Sequence, residues 1–141
     1  MNYETLETEV NGGQLSARRE TRSFIASGTI SAGDVVCFDL TQAADADRFL
    51  FVKQAHNGDA LRFGCIGVAL HDASADDVVE VVIAGGVKAK VDSGVQAGKF
   101  LAVGQNGECV VYGAAYVTPI IALAAEDYDA NGTLIWFIRQ Y

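Results

Sequence analysis

The sequence predicts an all-β domain, a compact β-barrel or β-sandwich of about nine short strands preceded by an extended N-terminal arm. Three observations carry this. Nine apolar runs of strand length begin about every 9–16 residues from residue 35 onward, a spacing that suits a sandwich or barrel. Gly, Asn and Asp stand between the runs, where tight turns need them. Some runs alternate apolar and polar residues with period two, as a half-buried strand does.

In chain order, residues 1–26 are polar and mixed in charge and contain Asn11-Gly12-Gly13. They offer little apolar surface to offset the entropy of ordering, so they read as a flexible or extended arm, with a single β-domain over 27–141. The runs of the body are 35–40, 48–53, 64–70, 78–83, 87–91, 100–103, 109–112, 120–124 and 133–139. Val87, Ala89 and Val91 alternate with Lys88 and Lys90, giving one face to the core and two ammonium groups to water. Phe49-Leu50-Phe51-Val52 and Leu134-Ile135-Trp136-Phe137-Ile138 are apolar at consecutive positions, so both faces need cover, from the chain's own core or from another subunit. Phe49, Phe51, Trp136 and Phe137 are therefore the subunit-interface candidates.

Turn chemistry predicts two hairpins, one at Asn106-Gly107 and one at Gly85-Gly86, since both dipeptides tolerate positive φ. Pro119, the only proline, precedes a run, where no backbone donor is needed. A faint internal echo runs through the body. Ser31-Ala32-Gly33-Asp34-Val35-Val36 resembles Gln96-Ala97-Gly98-Lys99-Phe100-Leu101, and Ala69-Leu70 before an acidic turn resembles Ala122-Leu123 before another. A duplicated half is one explanation.

Composition narrows the function classes. Half of the residues are hydrophobic and a fifth charged, which is a folding composition. Ten Lys and Arg against eighteen Asp and Glu leave a net charge of −8, a field that repels phosphate backbones and anionic membranes; neither nucleic acid nor membrane is expected as a partner. Arg18, Arg19 and Arg22 form the densest basic cluster, but Glu4, Glu7, Glu9 and Glu20 surround it. The first residues lack a secretory pattern and no apolar run is long enough for a membrane span, so synthesis in a reducing cytoplasm is expected. Cys37, Cys65 and Cys109 each lie in an apolar run without CxxC spacing and read as buried free thiols.

Chemistry is sparse. His71-Asp72-Ala73-Ser74 has the residue types of a nucleophilic triad but not its context, and a solvated turn is the simpler reading. Two histidines and three scattered cysteines match no zinc spacing, and no phosphate-cradling glycine loop follows a strand. Asp127-Tyr128-Asp129-Ala130-Asn131-Gly132 matches the first half of a calcium loop, yet its twelfth position falls on Ile138; an Asn-Gly turn into the last strand is preferred. No catalytic residue, metal or cofactor is expected, and a binding role follows.

The stretch from Gly64-Cys65-Ile66-Gly67-Val68-Ala69-Leu70 through the acidic turn to Val78-Val79-Glu80-Val81-Val82-Ile83-Ala84-Gly85-Gly86-Val87, flanked by Gly33-Asp34-Val35-Val36 and Ala97-Gly98-Lys99-Phe100-Leu101, resembles the capsid decoration, or cement, proteins of tailed bacteriophages. The order of five elements carries the likeness over roughly residues 30–138. The longer acidic insertion around 43–47 and the N-terminal arm depart from the pattern. The resemblance implies a protein on the outer surface of the virion that binds the major capsid protein of the expanded head and stabilises it, as a homo-oligomer with a trimer favoured. Arg18, Arg19 and Arg22 are then candidate capsid contacts, a solvated arm being the alternative. A surface module for glycan binding or a head fibre for host attachment is the alternative function, with exposed loops at 41–47 and 55–59 and with Tyr112, Tyr116 and Tyr128 as its aromatics.

Overall fold

The computed structural model describes residues 19–56, 65–113 and 119–141. It is almost entirely β, with nine strands in one sheet: β1 (Arg19–Ala26), β2 (Val35–Phe38), β3 (Phe51–Gln54), β4 (Gly67–Ala69), β5 (Val78–Ala89), β6 (Phe100–Val103), β7 (Cys109–Val111), β8 (Ala122–Ala124) and β9 (Thr133–Phe137). A 3₁₀ turn spans Asp45–Asp47. Of the stretch read as an arm, residues 1–18 lie outside the described residues, and Arg19–Ala26 is an extended strand built into the sheet. Only its Phe24 and Ala26 are buried, so its apolar signal is too short to stand out from the charges beside it.

The sheet order is β1-β3-β2-β4-β5-β9-β8-β6-β7, and β1 also pairs with β5. That extra pairing closes β1, β3, β2, β4 and the first half of β5 into a ring. The second half of β5 opens another ring through β9, β8, β6 and β7, closed by a parallel bridge from Val91 to Cys109. One strand of 12 residues thus belongs to both rings. Gly85-Gly86 does not turn the chain, contrary to the hairpin expected there. The pair lies inside β5, where Gly85 takes φ +99° and sits between Arg19 of β1 and Phe137 of β9. Here glycine serves the crossing from one ring to the next, next to a register shift in β1 between Glu20 and Thr21. The Asn106-Gly107 hairpin forms as the sequence predicts, with Gly107 at φ +77° between β6 and β7.

The two rings are repeats of one unit. In the first, the Gly33 N–H donates to the Ala69 carbonyl (2.9 Å) and the Ala69 N–H to the Asp34 carbonyl (2.9 Å). In the second, the Gly98 N–H donates to Ala124 (2.8 Å) and the Ala124 N–H to Lys99 (2.9 Å). Gly33 and Gly98 share φ values of +86° and +87°. The Ala32 N–H donates to the Asp72 carboxylate and the Ala97 N–H to that of Asp127, at 2.8 and 2.9 Å. The parallel contact of Ala26 with Val52 returns as Val91 with Cys109, so the second half of β5 takes the part of β1. The echo in the sequence therefore corresponds to a structural repeat. Its second segment is corrected by two residues, since the ladder aligns Ala69 with Ala124 rather than with Ala122.

Two cores follow. Phe24, Ile30, Val36, Val52, Val79, Val81 and others fill the first ring. The second ring's interior, with Leu101, Ile121, Ile135 and Phe137, merges with Val35, Ala55, Val68 and Val82 from the outer face of the first. Strands β2, β4 and β5 thus have both faces covered, which accounts for their consecutive apolar residues. Asp34 is fully buried at the junction, where it accepts from the Ser31 N–H (2.8 Å), the Gln54 side-chain amide (3.1 Å) and the Lys90 ammonium (2.9 Å). A buried carboxylate so provided with donors positions the end of β5 against the β2 turn.

Gly67 limits how closely β4 and β5 approach. A Cβ there would lie 2.1 Å from the Val82 carbonyl oxygen, so the backbone itself would have to move. Gly67→Ala is expected to cost about 3 kcal/mol in urea unfolding. Gly28→Ala, where no atom lies within 4 Å, is expected to change stability by less than about 0.5 kcal/mol. Equal effects of the two would show that β4 and β5 are not packed this tightly.

Candidate interaction surfaces

Three surfaces collect the residues that the sequence singles out. The first is an aromatic corner. Phe38 at the end of β2 meets Phe24 edge-on at 6.0 Å, Phe49 at 5.2 Å and Tyr141 at 5.9 Å between ring centroids. Phe49 remains 68% exposed and Leu50 is exposed beside it, both following the acidic 3₁₀ turn that carries Asp45 and Asp47. Phe51 is half-buried at the start of β3.

The second surface is basic. Arg22 lies exposed on β1 and pairs with Glu20 at 3.2 Å, and Arg139 also reaches Glu20. One carboxylate thus serves two guanidinium groups, which leaves one positive charge over. Arg19 lines a cavity of about 380 Å³ with Val87, Lys88 and Asn131, and its Nε makes no hydrogen bond among the described residues. Arg18 lies outside the described residues, so the structure brings only two of the three arginines into view, on one strand.

The third is the outer face of the second ring, where sequence reasoning found two of four members, Trp136 as an interface candidate and Tyr112 as a glycan-stacking one. Trp136 on β9 lies opposite Leu123 on β8, and Leu123 opposite Phe100 on β6. The Tyr112 N–H donates to the Phe100 carbonyl (2.9 Å) from the far side. Tyr112, Phe100, Leu123 and Trp136 thus form one row across four neighbouring backbones, with exposures of 44, 52, 37 and 51%. Phe137 points the opposite way and is fully buried in the shared core, as alternation along β9 requires. The signal for the row was available only with the register in hand, because each member comes from a different run.

Groups with chemical potential have structural work. His71 Nε2 accepts from the Glu80 N–H (3.1 Å), and Nδ1 lies 3.0 Å from the Asp72 carbonyl, an arrangement that puts the proton on Nδ1. Asp127 accepts from the Ala97 N–H, and Asp129 from the Asn131 N–H. These bonds belong to a turn in which Gly132 takes φ +112°. Among the described residues no three His, Cys, Asp or Glu side chains gather as a metal site, and no helix is long and apolar enough to cross a membrane.

With this geometry in view, comparison with known proteins is informative about fold. No protein-family profile matches the chain, and a search of curated proteins finds no match. Among solved structures, the head fibre gp8.5 N base of bacteriophage phi29 superposes with a TM-score of 0.56. The match spans 86% of this chain and 93% of that one at 17% identity. The two share a fold.

Burial pushes the Cys65 thiol far above its ordinary value, and burial with the nearby Glu108 carboxylate pushes Cys109 up to about 12. Cys37 is buried as well. Thiolate is the reacting form, so a thiol reagent at pH 8 is expected to label none of the three in the native protein and all three in urea. Rapid labelling of the native protein would contradict this packing.

Glu126 gives a pH signature. The Leu134 N–H (2.8 Å) and then the Lys88 ammonium (2.9 Å) hold its carboxyl below the usual range. A depressed native value stabilises the fold above the unfolded pKa of about 4.3, and the contribution is lost as pH falls through the native value. Melting temperature is therefore expected to fall below pH 4 less steeply in Glu126→Gln than in the parent. Parallel curves would remove Glu126 from the account.

Proposed function

We propose that this chain is a structural protein of a tailed-phage head, seated on the outer surface of the expanded shell, where it binds the major capsid protein and stabilises the lattice. The observation that supports this most is the fold shared with the phi29 head fibre base over nearly the whole of both chains. The sequence resemblance to decoration proteins points to the same location. The surfaces fit a binding task, since they consist of an exposed apolar row, an aromatic corner and an arginine-bearing strand. Physically, each subunit that bridges capsomers adds interface that bursting must break, with a specific contact burying about 1,200–2,000 Å².

A second reading has its own support. Because the matched structure is a fibre base, the chain serves on this reading as the seat of a head fibre that attaches the virion to its host. The two differ in consequence, since cement raises head stability and a fibre seat raises adsorption.

Purified chain mixed with undecorated expanded heads is expected to co-sediment to saturation, and decorated heads to release DNA at a higher temperature. Absence of saturable binding would remove both readings. Binding without a gain in head stability, but with faster adsorption of particles to cells, would select the fibre seat.

A further inference from the structure

The repeat pairs the exposed row with a covered one. The repeat places Tyr112, Phe100, Leu123 and Trp136 at the positions held in the first unit by Ala55, Val35, Val68 and Val82. There, Val35 pairs with Val68, Val68 with Val82, and the Ala55 N–H donates to Val35 (2.8 Å). All four first-unit residues are at most 1% exposed, because the second unit sits on them. The same row is thus an interface in one unit and open in the other. Where the covered row is small and aliphatic, the open one carries three aromatic rings, the residue types enriched at the centres of protein interfaces.

We propose that a second copy of this chain covers the Tyr112–Phe100–Leu123–Trp136 row, docking there through its Phe49–Leu50 corner. Area and charge select this occupant. At the exposures observed the four side chains present about 400 Å², taking roughly 150–250 Å² for each whole aromatic. Ile138, two residues from Trp136 on the same face, extends the patch. That is about half of the roughly 800 Å² per partner that a stable complex requires, leaving the rest to a polar rim. The rim carries exposed Lys99 beside Phe100, while Lys88 and Arg139 are held in ion pairs by Glu126 and Glu20. The Phe49–Leu50 corner is the counterpart, apolar at its tip and flanked by Asp47 and by Asp45, which Arg48 holds at 3.0 Å. Two different surfaces of one chain that complement each other make a heterologous contact, which closes into a ring where the rotation between copies permits and otherwise propagates as a filament. The proposal requires nothing of the head shell.

Sedimentation velocity over a wide concentration range tests it. The parent is expected to form one closed oligomer. Trp136→Glu and Phe100→Glu are each expected to weaken association at least about tenfold with an unchanged far-ultraviolet spectrum and melting transition, as is Phe49→Glu. Lys99→Glu is expected to weaken assembly, and Asp45→Lys with Asp47→Lys in the same chain to restore it. A parent that stays monomeric at every concentration would overturn the proposal, as would row variants that assemble normally. Failure of the charge exchange, with the row variants still monomeric, would overturn the Phe49–Leu50 corner as the occupant. Head co-sedimentation run in parallel keeps the outcomes apart, because a monomer that binds heads sinks this inference alone and an oligomer that does not bind heads sinks the proposed function alone.

Discussion

The constraint on which the rest of the structure depends is the use of β5 by two rings at once. Its first half pairs with β1 and β4, and its second with β9, without a break in the chain. A strand in that position must satisfy neighbours on both edges and cover cores on both faces. Its residues respond accordingly, with Val79, Val81 and Ile83 facing the first core and Val82, Val87 and Ala89 the second. The two glycines at its midpoint allow the change of partner, since a side chain is least tolerated where strands from both rings converge. Anything that shifts β5 therefore disturbs both units together, which makes one cooperative body of two repeats.

Much of this was legible in the sequence, and the exceptions have physical causes. Eight of the strands fall on apolar runs, because burial on at least one face leaves a mark that composition alone reveals. Strand β1 left little mark. Its outer positions carry Arg22 and Ser23 in water, and only Phe24 and Ala26 reach the core, so its order comes from backbone pairing with β5, which no side-chain pattern encodes. Gly85-Gly86 was misleading for a related reason. Glycine permits positive φ both in a hairpin and within a strand that changes partners, and the sequence around it is equally apolar in either case.

The site was less legible than the fold. Trp136 stood out because a tryptophan in a continuously apolar run demands cover. Tyr112 was noted only for a different role, and Phe100 and Leu123 did not stand out, since each is unremarkable in its own run and the four become a surface only through the register of β7, β6, β8 and β9. The arginines pose the opposite case. Arg22 is conspicuous in the sequence, but in space it shares Glu20 with Arg139, and a charge held in an ion pair draws a partner less strongly than a bare one.

The structural repeat also explains why the two halves resemble each other so little in sequence while keeping the same hydrogen-bond skeleton. A backbone bond such as Ala69 to Asp34, or Ala124 to Lys99, is indifferent to the side chains involved. Environment is not. Asp34 is enclosed where the two units meet and accepts three bonds, whereas its counterpart Lys99 stands in water beside the open row. Val82 is sealed beneath the second unit, and its counterpart Trp136 is half-exposed. Once two copies are joined so that one sits on the other, equivalent positions face different solvents, and their side chains diverge for that reason. The positions that differ most between the repeats are thus those where a covered face and an open face correspond. In a chain that assembles with others, these are the positions at which binding residues arise.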